Sequence, residues 1–493
     1  MTKSEIRVQY SGFIIFAAKL MSVATGMIFT LLITRNTTED QYGVWVNTFD
    51  LMAYFVLIAS AIPFWTTRFV ARNKEGSTKT GLVANLIIGV ISVVFYIPLV
   101  PFITSALSVA EAYVVLYFMV STQIIESYLM NQLEATLRAE RPQAVGYGLL
   151  VEEITKIALA YVLIVRLQQP LTGAMASLTI AFLIQIVYYL KLVSPSLKQK
   201  IQWNYVQEWL KGSIANIYYL IGVQISSVIF IMLFVFGSHA ARGDYGAAST
   251  IANIIGYSSF LSFALYPRLL ANKSRDDVTT SLKLVLMFAI PMAAGAMAIP
   301  DSLLIILKGP YAEAAPLLFI LAIDALVSTI SGFYQYVLFG VEKLDEKATI
   351  PIRQLVKSDI FKAFTLPYIH SAITLPLAYY VLTNFASGQN VQAAMYVAAI
   401  TMTTRLAMFI VLYLLIRRAI KVTVPWTSIG KYVFAGAIMG SALYLIPHPT
   451  RIALILAAVV VGGTLYLALL VAIDKEARTL INSILREIKG RFA

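Results

Sequence analysis

The sequence predicts an all-α integral membrane protein of about fourteen transmembrane helices, in two parallel-repeat six-helix lobes followed by two C-terminal helices. Three observations carry this. Hydrophobic residues make up 59% of the chain and charged ones 13%, with a mean hydropathy of +0.78, whereas soluble domains are about a quarter charged. Apolar runs of the roughly 20 residues needed to cross a bilayer recur along the whole length. The second half also repeats features of the first.

The expected spans are 10–34, 44–62, 81–101, 112–131, 146–165, 172–191, 212–236, 247–267, 281–300, 314–338, 368–384, 392–416, 430–447 and 452–473. None alternates as a barrel strand would. Thirty of the 38 lysines and arginines fall in alternate connecting segments; five, Arg35, Arg166, Arg242, Lys308 and Arg451, fall in the others. By the positive-inside rule both termini are cytoplasmic and the protein sits in the cell (plasma) membrane as a multi-pass chain. The net charge of +13 then speaks for anionic inner-leaflet lipid as a partner, and not nucleic acid. The first run is too long for a signal-peptide core, so it is expected to stay as the first helix.

The absence of cysteine excludes disulfides and thiolate metal sites, and three scattered histidines (His239, His370, His448) argue against a metal cluster. No cofactor is expected. Gly76-Ser77-Thr78-Lys79-Thr80 lacks the spacing of a phosphate loop and reads as a basic cytoplasmic loop. Two stretches have interfacial character: the tail 474–493 and segment 351–365, where Ile352, Leu355, Val356, Ile360 and Phe364 oppose Arg353, Lys357 and Lys362 until Pro367 ends the run.

At an offset of 203, Tyr42-Gly43, Asp50 and Tyr54 fall on Tyr245-Gly246, Asn253 and Tyr257; at 202, Ala110-Glu111-Ala112 falls on Ala312-Glu313-Ala314. A unit of six helices is even, so both copies insert in the same orientation, as in parallel-repeat secondary transporters. The expected organisation is an N-lobe 1–193, a cytoplasmic linker 194–211, a C-lobe 212–416, helices 13 and 14 within 417–473, and the tail 474–493.

Leu31-Leu32-Ile33-Thr34-Arg35 leading to Glu39-Asp40-Gln41-Tyr42-Gly43 resembles the first outer loop of the polysaccharide-exporter (O-antigen, Wzx-type) lipid-linked glycan flippases. The Gly243-Asp244-Tyr245-Gly246-Ala247-Ala248 and Gly309-Pro310-Tyr311-Ala312-Glu313-Ala314 loops resemble later landmarks of that family. The resemblance implies the multidrug/oligosaccharidyl-lipid/polysaccharide exporter (MOP) superfamily fold and a substrate on polyprenyl phosphate or diphosphate. Glycan-assembly enzymes are then implied partners.

A mid-membrane charge costs about 2.5–3.5 kcal/mol on the lenient scale, so ionisable residues within spans are expected to be paired or to face a cavity. Lys19, with Ser22, Gly26 and Thr30 on its face, lies about 14 Å along the first helix. It either meets a lipid phosphate or snorkels to the surface. Asp50 and Tyr54 share a face with Asn47, as Asn253 and Tyr257 do with Ser249; these line the cleft or hydrogen-bond between helices. Arg68 and Arg268 end helices 2 and 8 at the expected inner mouth, as phosphate ligands or as ordinary topology signals. Glu152 and Lys156 form an i,i+4 pair, leaving Glu153 and Glu126 without an obvious local partner. Glu126, Glu153 and Asp324 are therefore the candidates for a coupling ion. Arg405 either pairs with Asp324 or serves as a cavity cation.

Two rivals stand beside the flippase reading. A cation-coupled multidrug or small-molecule antiporter of the same superfamily would favour carboxylates and stop at twelve helices. A membrane glycan polymerase or ligase would need catalytic room outside the bilayer, whereas every outer loop is about a dozen residues or fewer. No catalytic residue is expected.

Overall fold

The computed structural model describes residues 3–262, 275–341, 358–386, 388–419, 423–475 and 477–479. Among these residues there is no strand, and nine helices are long and apolar enough to cross a membrane. The chain is an all-α integral membrane protein. It divides into two compact units, Met1–Gly243 with Leu344–Asn390, and Asp244–Lys343 with Val391–Ala493.

The first unit holds α1 (Lys3–Arg35), α2 (Glu39–Phe55), α3 (Ala61–Ala71), α4 (Ser77–Ala106), α5 (Glu111–Glu140), α6 (Pro142–Ala160), α7 (Pro170–Val193), the short α8 (Trp203–Gly212), α9 (Ile214–Ser226) and α10 (Val228–Met232). It also holds the first residues of α11 (His239–Gly256). α1 lies along α6, α5 is flanked by α4 and α7, and α9 pairs with a later helix, Asp359–Phe385.

α2 starts on a capping box, in which Thr38 accepts from the Gln41 amide while the Gln41 side chain accepts from the Thr38 amide. The expected span 44–62 is not one helix: the α-helix stops at Phe55 and resumes at Ala61. Pro63 has no N–H for the carbonyl four residues back, so Ala59 is left without a ladder partner. Asn85 of α4 donates to that carbonyl at 3.1 Å, and Tyr128 of α5 to the Phe55 carbonyl at 3.0 Å. Side chains from neighbouring helices thus satisfy what the break releases, as hydrocarbon requires. The corresponding place in the second half behaves alike, since α11 passes at Tyr257 into a 3-10 segment, Tyr257–Ser262.

Gly76 caps α4 with φ +77, and its amide donates to the Gln199 side chain at 2.6 Å. The loop expected at 67–80 is therefore tied to the linker. That linker carries α8, whose buried Trp209 packs with Ile62, Trp65 and Phe69.

The second unit comprises the rest of α11, then α12 (Arg275–Ala298), α13 (Pro300–Leu307), α14 (Ala315–Val341), α16 (Asn390–Ala419), α17 (Trp426–Leu445) and α18 (Ile452–Ile473); the intervening α15 is Asp359–Phe385, in the first unit. α17 packs on α12, and Tyr466 of α18 donates to the Met287 carbonyl of α12 at 2.7 Å. The two C-terminal helices are thus fastened to one helix of their unit.

Three expectations need correction. The outer segment after span 9 contains the helix α13 and a 3-10 turn, Gly309–Ala314, so that motif is not an open loop. The 243–248 motif lies inside α11. The amphipathic run does not end at Pro367, because α15 continues from Asp359 through Pro367 and Pro376 to Phe385. Membrane helices tolerate such prolines, which leave the Ala363 and Ala372 carbonyls without a ladder donor; Ser226 and Ser371 donate to the carbonyl of Pro367 itself, at 3.0 and 2.7 Å. Residues 351–357 and the tail from 480 onward lie outside the described residues.

Candidate functional site

The sequence puts five carboxylates inside expected spans, and the structure gives four of them a cation. On α6, Lys156 lies 3.0 Å from Glu152 and 2.5 Å from Glu153, all three side chains being buried. Ser22 and Thr25 of α1 donate their hydroxyls to the two Glu153 oxygens, each at 2.5 Å. Glu153 therefore does have partners, contrary to the sequence reading. One sits a turn away at i+3, and the others are on a helix some 130 residues earlier, which spacing along α6 could not reveal. Phe29 offers its ring to Lys156 at 5.9 Å. Lys19 itself is exposed on α1, three residues before Ser22.

The α2 face resolves differently from its expectation. Asn47 is fully buried and accepts from Tyr117 of α5 at 2.8 Å. Asp50 receives both arms of Arg242, Nε at 2.7 Å and Nη2 at 2.8 Å. The buried Tyr54 hydroxyl lies beside Ser227 and Gln224. Arg242 is thus not a loop residue: it sits in the first turn of α11, is 5% exposed, and has the Phe230 ring 4.8 Å away. Above the ion pair the helices touch backbone to backbone. A Cβ at Gly43 would collide with the His239 carbonyl, and one at Gly243 with the Glu39 carbonyl.

Asn253 and Tyr257, the repeat mates of Asp50 and Tyr54, are exposed on their unit. There Asp324 of α14 lies 2.8 Å from the Arg405 Nε of α16, while Arg405 Nη1 donates to Ser328 at 2.9 Å. Of the two readings for Arg405, the geometry is that of the pair. Arg68 ends α3 with its guanidinium 3.7 Å from the Phe64 ring centre. Arg268 lies outside the described residues. Glu126 is buried at the middle of α5, and neither of its oxygens has a hydrogen-bond partner. No group of three metal-ligating side chains occurs among the described residues.

Buried, paired charges on apolar helices describe a membrane protein with a polar interior, and comparison with solved structures gives the fold its class. A structure described as the lipid II flippase MurJ in an inward closed conformation is similar over 95% of this chain and 100% of that one, with a TM-score of 0.67 and 13% identity. An inward-facing multidrug resistance MATE family transporter of the MOP superfamily gives 0.61 and 10%, over 81% of this chain and 95% of that one. A MATE structure in a bent conformation gives 0.53 and 12%, over 83% and 95%. The chain has the MurJ- and MATE-like membrane fold. No protein-family model matches the sequence, and no curated protein does.

Proposed function

We propose that the protein is a flippase of the polysaccharide-exporter, Wzx-type kind, moving lipid-linked oligosaccharide or polysaccharide repeat units across the cytoplasmic membrane by alternating access of two lobes. The observation that carries this reading is the extent of the fold likeness. The MurJ comparison takes in 95% of this chain, whereas the MATE comparisons leave about a sixth to a fifth of it unmatched. α17 and α18, which an antiporter of twelve helices would lack, are firmly packed on α12. The short motifs at 31–43, 243–248 and 309–314 favour the glycan branch.

In this reading Lys19, Arg68 and Arg268 are the candidates to receive the carrier lipid's phosphate or diphosphate, Tyr54, Asn253 and Tyr257 the candidates to hydrogen-bond the glycan, while Asp50 and Arg405 enter only if their ion pairs open. No bond is made or broken, so the protein is not an enzyme. Both termini face the cytoplasm, where assembly enzymes load the lipid. The test is transport of a fluorescent polyprenyl-diphosphate oligosaccharide in vesicles holding the purified chain, with cationic dyes as competing cargo. Movement of the glycan lipid without dye efflux supports the flippase; dye efflux alone would put the antiporter in its place.

A further inference from the structure

Among the described residues, Glu126 differs from the other four carboxylates inside the expected spans. Asp50 has Arg242, Glu152 and Glu153 share Lys156, and Asp324 has Arg405. Glu126 is 2% exposed, both of its oxygens are sealed from solvent without a hydrogen-bond partner, and it sits about 22 Å from either end of the thirty-residue α5. Beside it on the same helix, Ile124 is fully buried, Gln123 donates to Thr179 of α7 at 2.8 Å, and Ser127 donates to the Gln123 carbonyl at 2.8 Å.

The charged groups on helices packed against α5 do not reach it. Asp50 on α2 and the Glu152, Glu153 and Lys156 cluster on α6 are paired as above. Arg68, Lys79 and Lys191 stand in the terminal turns of α3, α4 and α7. An ionised carboxylate so placed would be an isolated buried charge, which protein interiors avoid by neutralising the group.

We propose that Glu126 is a proton-binding carboxyl in the membrane interior, neutral in the arrangement seen here, and that release of this proton is the event that couples transport to a proton gradient. The first half stands on geometry alone; the second rests on the transporter reading. A neutral carboxylic acid is tolerated where an anion is not, so α5 can pack closed only while the proton is held. Opening a water path to Glu126 lets the proton leave, and the anion then resists reburial until it is reprotonated.

Infrared spectroscopy of the full chain in vesicles tests the proton directly. The wild type should show a protonated-carboxyl C=O stretch that shifts in D2O after long exchange and whose intensity falls in Glu126→Gln. Glu126→Asp, which keeps the acid, should retain it. Equal band intensity in wild type and Glu126→Gln would overturn the proposal. Glu126→Gln breaks no ion pair, so its melting temperature should match the wild type, and a large drop would itself show an unrecognised ionic partner. In flux assays, the stimulation that an imposed pH gradient gives the wild type should fall to onefold in Glu126→Gln. If glycan lipid moves and the stimulation persists in the variant, coupling at Glu126 fails while the flippase stands; if the band is lost in the variant but the wild type moves no glycan lipid, the proton site stands while the flippase reading and the coupling built on it fail.

Discussion

Asp50 and Arg242, 192 positions apart in sequence, meet as a bidentate ion pair with side chains 13% and 6% exposed. The fork geometry orients both partners, and their burial makes each depend on the other. Asp50→Asn leaves Arg242 charged and buried, and should cost about 3–5 kcal/mol. Asp50→Leu combined with Arg242→Met removes both charges and should recover most of that loss. Unfolding of all variants in one detergent measures the cycle; a neutral Asp50→Asn would show that water reaches the pair.

Gly43→Ala drives a methyl into the His239 carbonyl, and Gly243→Ala drives one into Glu39. Each should destabilise by about 1–3 kcal/mol, the range for overpacking. Gly26→Ala is the control, because nothing lies within 4 Å of the added carbon on α1. It should be neutral, or stabilising by about 0.5–1 kcal/mol through helix propensity. Equal effects at Gly26 and Gly43 would contradict the close crossing of α2 and α11.

The α6 cluster holds two carboxylates for one ammonium. Lys156→Gln strands both, and should be the most damaging substitution there, by about 3–5 kcal/mol. Glu152→Gln removes the carboxylate that lacks the α1 hydroxyls and leaves Lys156 balanced by Glu153, so it should be far milder than Glu153→Gln. A ranking with Glu152→Gln worst would mean that the charges are apportioned otherwise.

If Lys19 neutralises the lipid phosphate, charge matters more there than shape. Lys19→Arg should keep most of the transport and Lys19→Gln should lose most of it, at equal membrane abundance. Wild-type flux of the glycan lipid through Lys19→Gln would leave the exposed side chain as an interfacial anchor.

The all-α membrane character was legible because the bilayer demands length and apolarity of a span, and nine described helices meet that demand. Interruptions were legible only in part. The break after Phe55 was not read, because 56–59 is apolar and continues the span; only Asn85 and Tyr128, from other helices, show how it is satisfied. Arg242 was misjudged because it follows a polar stretch with no hydrophobic period, and its partner is distant in sequence. The Ser22 and Thr25 contacts to Glu153 escaped for the same reason, since helical spacing describes one helix and these bonds join two. Glu126 was recognisable as unpaired along α5, but only the surrounding helices show that nothing from outside supplies a partner.

The interruption in α2 divides a rod into two parts with separate attachments. The upper part is gripped at Gly43 and Asp50 by the start of α11. The lower part, α3, packs on Trp209 of the linker and is held at the turn between α8 and α9, where Trp65 donates to Ser213 at 3.0 Å and Ser213 donates to the Ala61 carbonyl at 3.1 Å. Torsion applied at one end is therefore not transmitted through a continuous backbone ladder to the other. Lengthening the chain at 199–202 should therefore loosen the attachment of the lower part while leaving the upper contacts at Gly43 and Asp50 untouched.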